Sequence, residues 1–175
     1  MKIGIVGTII LIVMVSGCTS SSSTETKTFS DGVMSFNYPA DFDNETTSGN
    51  DTNSSSPVQV ISKLKKPAPN IHYISVEKNI SAISLTEAKD GIDSVVKNSS
   101  TYKFLSSTTE TNPNGVVIEK TSYTDEFLLG TKIRYNDMYF KINDNLYRIT
   151  VYGPDIGTHA QSIENTTNII FQSIK

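Results

Sequence analysis

The run Phe29-Ser30-Asp31-Gly32-Val33-Met34-Ser35-Phe36-Asn37-Tyr38-Pro39-Ala40-Asp41-Phe42 decides what kind of fold this chain can build. Within it, Met34, Phe36 and Tyr38 alternate with Ser35 and Asn37. A period of two sends alternate side chains to opposite faces, so Val33 to Tyr38 is expected as a strand with one dry and one wet face. Pro39 has no N–H to give to a ladder and closes it. One dry face needs a second layer to cover it, which the rest of the chain must supply.

Val58 to Leu64 and Ile71 to Val76 read as two further strands. The link Lys65-Lys66-Pro67-Ala68-Pro69-Asn70 joins them, since neither proline suits a central strand. Asp43 to Pro57 is a run of Asn, Thr, Ser, Gly and Asp, expected as a mobile surface loop. Ser84-Leu85-Thr86-Glu87 carries a capping-box spacing, with serine at the cap and glutamate three residues on. Leu85, Ala88, Ile92, Val95 and Val96 then recur on one face, which predicts an amphipathic helix over Leu85 to Lys97. Gly91 weakens it by about 1 kcal/mol relative to alanine.

After Asn98-Ser99-Ser100 the period returns to two. Tyr102 to Thr109, Val116 to Tyr123, Lys132 to Ile142 and Leu146 to Tyr152 are expected as consecutive antiparallel strands. Asn112-Pro113-Asn114-Gly115 and Asn143-Asp144-Asn145 are hairpin signals, because Asn, Asp and Gly tolerate left-handed backbone. Gly153-Pro154 ends the sheet. Thr158 and Gln161 have the spacing to cap a last helix that turns Ala160, Ile163, Thr167 and Ile170 inward, with Phe171 and Ile174 closing the chain. The order implies an α+β fold, a mainly antiparallel sheet of about six strands sandwiched by helices.

The opening run resembles that of PsbP-like domains: an aromatic residue, a short glycine turn, Ser-Phe, an alternating residue, then Tyr-Pro with an aromatic residue beyond. Ile169-Ile170-Phe171-Gln172-Ser173-Ile174 is similar to the family's closing helix. Phe42 stands where tryptophan is usual and Ile174 where phenylalanine is usual; both keep an apolar body. The resemblance spans about residues 27–175 and implies an α/β/α sandwich. It also implies action by binding larger protein assemblies rather than by catalysis. None of the family's partner-binding residues can be matched to this chain one by one.

Upstream, Met1-Lys2 precedes an apolar run from Ile3 to Val15. As a helix it would rise about 20 Å, short of a bilayer core of about 30 Å, so it reads as a signal-peptide segment. Val15-Ser16-Gly17-Cys18 then looks like a bacterial-type lipobox, and Cys18 is the only cysteine. That pattern implies a mature chain beginning at Cys18 with a diacylglycerol on its sulfur. Residues 1–17 are thus expected as a lipoprotein signal peptide and residues 18–28 as lipidated cysteine and flexible Ser/Thr tether. Residues 29–175 follow as one domain, able to bury roughly 70 % of its unfolded surface without disulfides.

Without residues 1–17 there are 14 basic and 18 acidic residues, a net charge near −4. No basic face marks a nucleic-acid partner. The two histidines, His72 and His159, accompany no Gly-x-Ser-x-Gly elbow, and no Cys/His cluster suits zinc. Asp41, Asp43 and Glu45 alternate as calcium ligands do, but Thr46 and Thr52 replace the glycine and glutamate of an EF-hand loop. No catalytic residue, metal ligand or cofactor is therefore expected. Lys63, Lys65 and Lys66 form the only basic cluster, read as a solvated edge. Six Asn-x-Ser/Thr sequons stand at Asn44, Asn50, Asn53, Asn79, Asn98 and Asn165. Asn44, Asn50 and Asn53 share the polar run and are the candidate glycosylation sites.

These readings converge on a non-catalytic lipoprotein held on the outer face of the cytoplasmic membrane through Cys18. Its expected role is to bind, or assist assembly of, a membrane-associated protein. The alternative is a lipid-anchored receptor for a small or polymeric ligand. An aromatic patch outside the core, from Tyr135, Tyr139 or Tyr152, would favour the first, and a cleft with convergent polar groups the second.

Overall fold

A computed structural model describes residues 25–45, 57–79, 83–126 and 130–175. The strands are β1 (Thr26–Ser30), β2 (Ser35–Pro39), β3 (Asp43–Asn44), β4 (Val58–Lys66), β5 (His72–Asn79), β6 (Tyr102–Thr111), β7 (Val117–Glu126), β8 (Lys132–Ile142) and β9 (Asn145–Pro154). Helix α1 (Leu85–Asn98) lies between β5 and β6, and α2 (Gly157–Ser173) follows β9. Seven strands form one antiparallel sheet in the order β3-β4-β5-β9-β8-β7-β6, while β1 and β2 make a separate hairpin. The expected single sheet of about six strands is thus divided in two. Thr26 to Thr28, expected as tether, pair with Pro39 to Asn37. The polar run also contributes order: Asp43 and Asn44 pair with Lys65 and Leu64.

Register assigns the sheet two chemically different faces. On one, Leu64, Ile74, Val76, Ile118, Met138, Phe140, Tyr147, Ile149 and Val151 meet Ile163, Ile170 and Phe171 of α2, Ile174 at its C-cap, and Met34, Phe36 and Tyr38 of the hairpin. This is the main core. The chain's ends lock together over it, because Ser35 and Lys175 exchange both backbone hydrogen bonds at 2.9 and 3.0 Å. Buried Asn112 donates to the carbonyls of Phe171 and Ile174 at 3.0 and 2.7 Å and so satisfies orphan groups at the end of α2.

The other face carries α1 over β6, β7 and β8. Its capping box forms as expected: Ser84 Oγ accepts from Glu87 N–H at 3.1 Å and Glu87 accepts from Ser84 N–H at 2.7 Å. The expected buried stripe needs correction. Val95 is 58 % exposed, whereas Asp93 is 6 % exposed and accepts a 2.8 Å hydrogen bond from Thr121. The sheet face beneath α1 is lined by Thr121, Asp137 and Thr150, so the helix turns a carboxylate rather than a second valine toward it. The start of α2 departs too. Its cap residue is Ile156 with no side-chain bond, and Thr158 and Gln161 form no capping box.

Two glycines offer opposite expectations. An alanine Cβ at Gly153 would lie 2.6 Å from His72 Cβ and 3.1 Å from its Cα. We expect Gly153→Ala to cost about 1–3 kcal/mol, lowering the thermal midpoint by several degrees. A Cβ at Gly91 meets nothing within 4 Å, so Gly91→Ala should gain about 0.5–1 kcal/mol through helix propensity alone. Thermal unfolding by circular dichroism reads both signs.

Candidate functional site

The α1 face holds a row of tyrosines that crosses the sheet. Tyr73 of β5 is paired with Tyr152 of β9, Tyr152 with Tyr135 of β8, and Tyr135 with Tyr123 of β7. Their ring centroids are 5.2, 5.5 and 5.0 Å apart with interplanar angles of 17°, 12° and 8°. Tyr102 of β6 leans on Tyr123 at 5.3 Å and 60°. Neighbouring strands lie about 4.8 Å apart, so aligned rings on one face must stack. Lys65 Nζ covers the β5 end, 5.6 Å from the Tyr73 ring. The end at edge strand β6 lies beside the last turn of α1, where Lys97 Nζ sits 4.6 Å from the Phe104 ring.

Stacking determines what the row can offer. Ring faces are spent on one another, so sugar or aromatic stacking on them is blocked. The phenol oxygens stand at the ends of the rings farthest from the sheet, and no hydroxyl of the five is hydrogen-bonded among the described residues. Burial raises the pKa of Tyr135, with Asp125 adding to it, and likewise of Tyr152, with Glu45 adding to it. The half-buried hydroxyls of Tyr135 and Tyr152 therefore stay protonated and available as donors and acceptors at neutral pH. The result is a comb of phenols.

The rung below the comb is ionic. Asp137, fully buried, accepts from Arg148 Nε at 3.2 Å, from Arg148 Nη2 at 2.9 Å and from Thr150 Oγ1 at 2.6 Å. Arg148 also lies 3.5 Å from Glu77 and 5.6 Å from the Tyr139 ring. Burial alone would pull the guanidinium down, but Asp137 outweighs it and holds the charge. Tyr139 is buried here in this underlayer, as Tyr123 is within the comb, whereas Tyr135 and Tyr152 are half-buried. The comb thus rests on a fixed base.

Sequence-derived candidates disperse. Cys18, Asn50 and Asn53 lie outside the described residues; Asn44 is exposed on β3. His72 is fully buried, bonded through Nε2 to Thr166 Oγ1 at 3.1 Å and through Nδ1 to the Asn70 carbonyl at 3.0 Å. His159 Nε2 meets the Pro69 carbonyl at 3.0 Å. Neither histidine is hydrogen-bonded to a carboxylate among the described residues. Asp41 pairs with Lys66 at 2.8 Å, and no cluster of three or more metal-ligating groups occurs among the described residues. Tyr73, Tyr102 and Tyr123 were not singled out by sequence, since a single tyrosine on a strand carries no signal until the register is known.

On the opposite face, α2 leaves β6 and part of β7 uncovered. A groove of about 320 Å³ runs there, with Ser106, Thr108, Ser122, Arg134 and Asn136 on the sheet side and Glu164 and Asn168 on the helix side.

No family model matches the chain, and no curated protein matches it in sequence. Solved structures do match in fold. LpqN of Mycobacterium tuberculosis, involved in cell envelope biogenesis, aligns with TM-score 0.57 at 12 % identity over 86 % of this chain and 90 % of that one. Cyanobacterial PsbP (CyanoP) of Synechocystis sp. PCC 6803 gives 0.57 at 11 % identity, covering 92 % and 98 %. The Ran-binding protein Mog1p of Saccharomyces cerevisiae gives 0.55 at 10 % identity, covering 87 % and 96 %. At these identities the likeness is one of fold, and the fold is PsbP-like α+β.

Burial lowers the pKa of His72 below the ordinary 6.5, the Asn70 hydrogen bond opposing it only in part. The unfolded chain therefore binds this proton first as pH falls. Its contribution to stability is whole above about pH 6.5 and declines below it, toward the folded value. Wild-type protein should lose stability from pH 7 to pH 5 in denaturant titrations, and His72→Gln should flatten that slope. An unchanged slope would show that other groups carry it.

Proposed function

We propose that this chain is a non-catalytic lipoprotein, held on the outer face of the cytoplasmic membrane by diacylglycerol on Cys18. In this reading it binds, or helps assemble, a membrane-associated protein through the comb of Tyr73, Tyr152, Tyr135, Tyr123 and Tyr102. The observation that carries the proposal is the comb itself: four stacked rings with a fifth beside them, and hydroxyls unbonded among the described residues. Tyrosine presents a large, rigid, amphipathic contact at small entropic cost, which is why it is enriched at protein interfaces. Burying a hydroxyl without a partner is costly, so the comb favours a polar, complementary surface over a bare apolar one. The Ser/Thr segment from Thr19 to Glu25 would hold the domain within about 25 Å of the bilayer, near enough to meet membrane-bound proteins.

The test starts from full-length protein captured from native membranes after mild crosslinking. Wild type is compared with Cys18→Ser and with the double variant Tyr135→Phe/Tyr152→Phe, which removes two hydroxyls and keeps the stack. A stoichiometric protein partner is expected with wild type. Its recovery should fall about tenfold or more in the double variant, as two lost hydrogen bonds imply. With Cys18→Ser, the protein should leave the membrane fraction. Recovery of lipid-bearing protein alone, without a partner, would sink the reading.

A further inference from the structure

The groove beside α2 lies on the sheet face opposite the comb and has a chemistry of its own. We propose that it binds a neutral, polyhydroxylated ligand about the size of one sugar ring. This goes beyond partner docking and does not rest on it.

Three features point to that class. First, the charges at the rim satisfy one another. Arg134 is held between Asp155 at 2.8 Å and Glu164 at 2.6 Å, while Lys120 sits 2.9 Å from Glu110 and 4.8 Å from the Phe171 ring. Three carboxylates against two cations repel an anionic ligand and offer a cation no free partner.

Second, the floor is a directed relay of hydrogen bonds. Ser122 Oγ donates to Asn136 Oδ1 at 2.9 Å, Asn136 Nδ2 donates to Thr167 Oγ1 at 3.1 Å, and Thr167 Oγ1 donates to the Ile163 carbonyl at 2.8 Å. Asn136 is only 3 % exposed, so the amide is fixed by this chain. Because the proton of Ser122 points into the relay, its lone pairs remain for the groove. Thr108 Oγ1 is fixed likewise, since it donates to Glu110 at 2.9 Å. Two oriented acceptors result.

Third, donors line the same groove. Arg134 spends Nε and Nη1 on its carboxylates, and its Nη2 has no partner among the described residues. The Asn168 amide and the Ser106 hydroxyl are unbonded among the described residues. Leu105, pushed out at a β-bulge, and Phe171 add an apolar strip. Fixed acceptors, spare donors and a short apolar strip match a ring whose hydroxyls both give and take hydrogen bonds and whose C–H groups need dry contact. The groove's volume lies at the small end of the ligand-site range, about 300–1,000 Å³, enough for such a ring.

Ligand-observed saturation-transfer NMR tests this on full-length protein in a zwitterionic detergent, so that no sugar comes from the micelle. The ligands are glucose, mannose, N-acetylglucosamine and myo-inositol, with glucuronate as the anionic counterpart. At least one neutral ligand should receive saturation, and glucuronate should receive less. Ser106→Trp, at an exposed position beside the bulge, should fill the groove and abolish the effect. Asn168→Ala, exposed on α2, should weaken binding about two- to tenfold, as one lost hydrogen bond implies. Tyr135→Phe/Tyr152→Phe should leave it unchanged. If circular dichroism shows that Ser106→Trp misfolds, Asn168→Ala decides. No saturation on any neutral ligand, equal saturation on glucuronate, or binding that survives these groove variants would overturn the proposal.

Discussion

Two residues in left-handed backbone carry the arrangement of this molecule. Asn143 at φ 47° and Asp144 at φ 64° turn β8 into β9 and set Ile142 opposite Asn145. Everything along the two longest-shared strands follows from that pairing. Met138 and Ile149 go to the apolar core together, and Tyr135 with Tyr152, then Asp137 with Thr150, go to the α1 face together. A slip of one residue in β8 would exchange that strand's faces. It would drive Asp137 into the core, part it from Arg148 and lift Met138 and Phe140 toward the helix carboxylate. Asn and Asp accept positive φ at small cost, which is why this sequence can hold such a turn.

The two faces are consequently stabilised by different means. The α2 face is held by area removed from water, with large side chains such as Phe36, Phe42, Phe140 and Tyr147 near zero exposure. The α1 face is held by pairing. Asp93 is flanked by Lys89, Lys97 and Thr121, and Asp137 by Arg148 and Thr150. Pairings of this kind add little net stability but tolerate few alternative geometries, and they orient the tyrosines above them. The candidate surface therefore sits on the specific face and the bulk of the stability on the other.

Much of the fold was legible because it depends on local period and turn chemistry. The β8–β9 hairpin, the capping box of α1 and the inward stripe of α2 all come from spacings a few residues long. Other features depend on distant pairing and were not. The β1–β2 hairpin separates from the main sheet because β2 takes its outer hydrogen bonds from Lys175 and from Ser173 Oγ. Valine at position 95 and aspartate at position 93 exchanged places because the surface under α1 is polar, which the helix alone cannot reveal. Tyr135 beside Tyr152 followed from one tight turn. Tyr123 and Tyr102 came into line only through the register of β7 and the irregularity between Phe104 and Ser106. The groove owes its existence to the width of the sheet relative to α2, a property of the assembled fold.

The mutual grip of Ser35 and Lys175 has a consequence in time. The β1–β2 hairpin is completed from far along the chain, since about 140 positions separate the two halves of the Ser35–Lys175 backbone pair. The hairpins β1–β2, β6–β7 and β8–β9 each have partners close at hand, whereas docking of β1–β2 against Lys175 is long-range and comes late. Until that docking the dry face of β2 lacks the α2 residues that cover it, so the fold is whole only once its most distant segments have met.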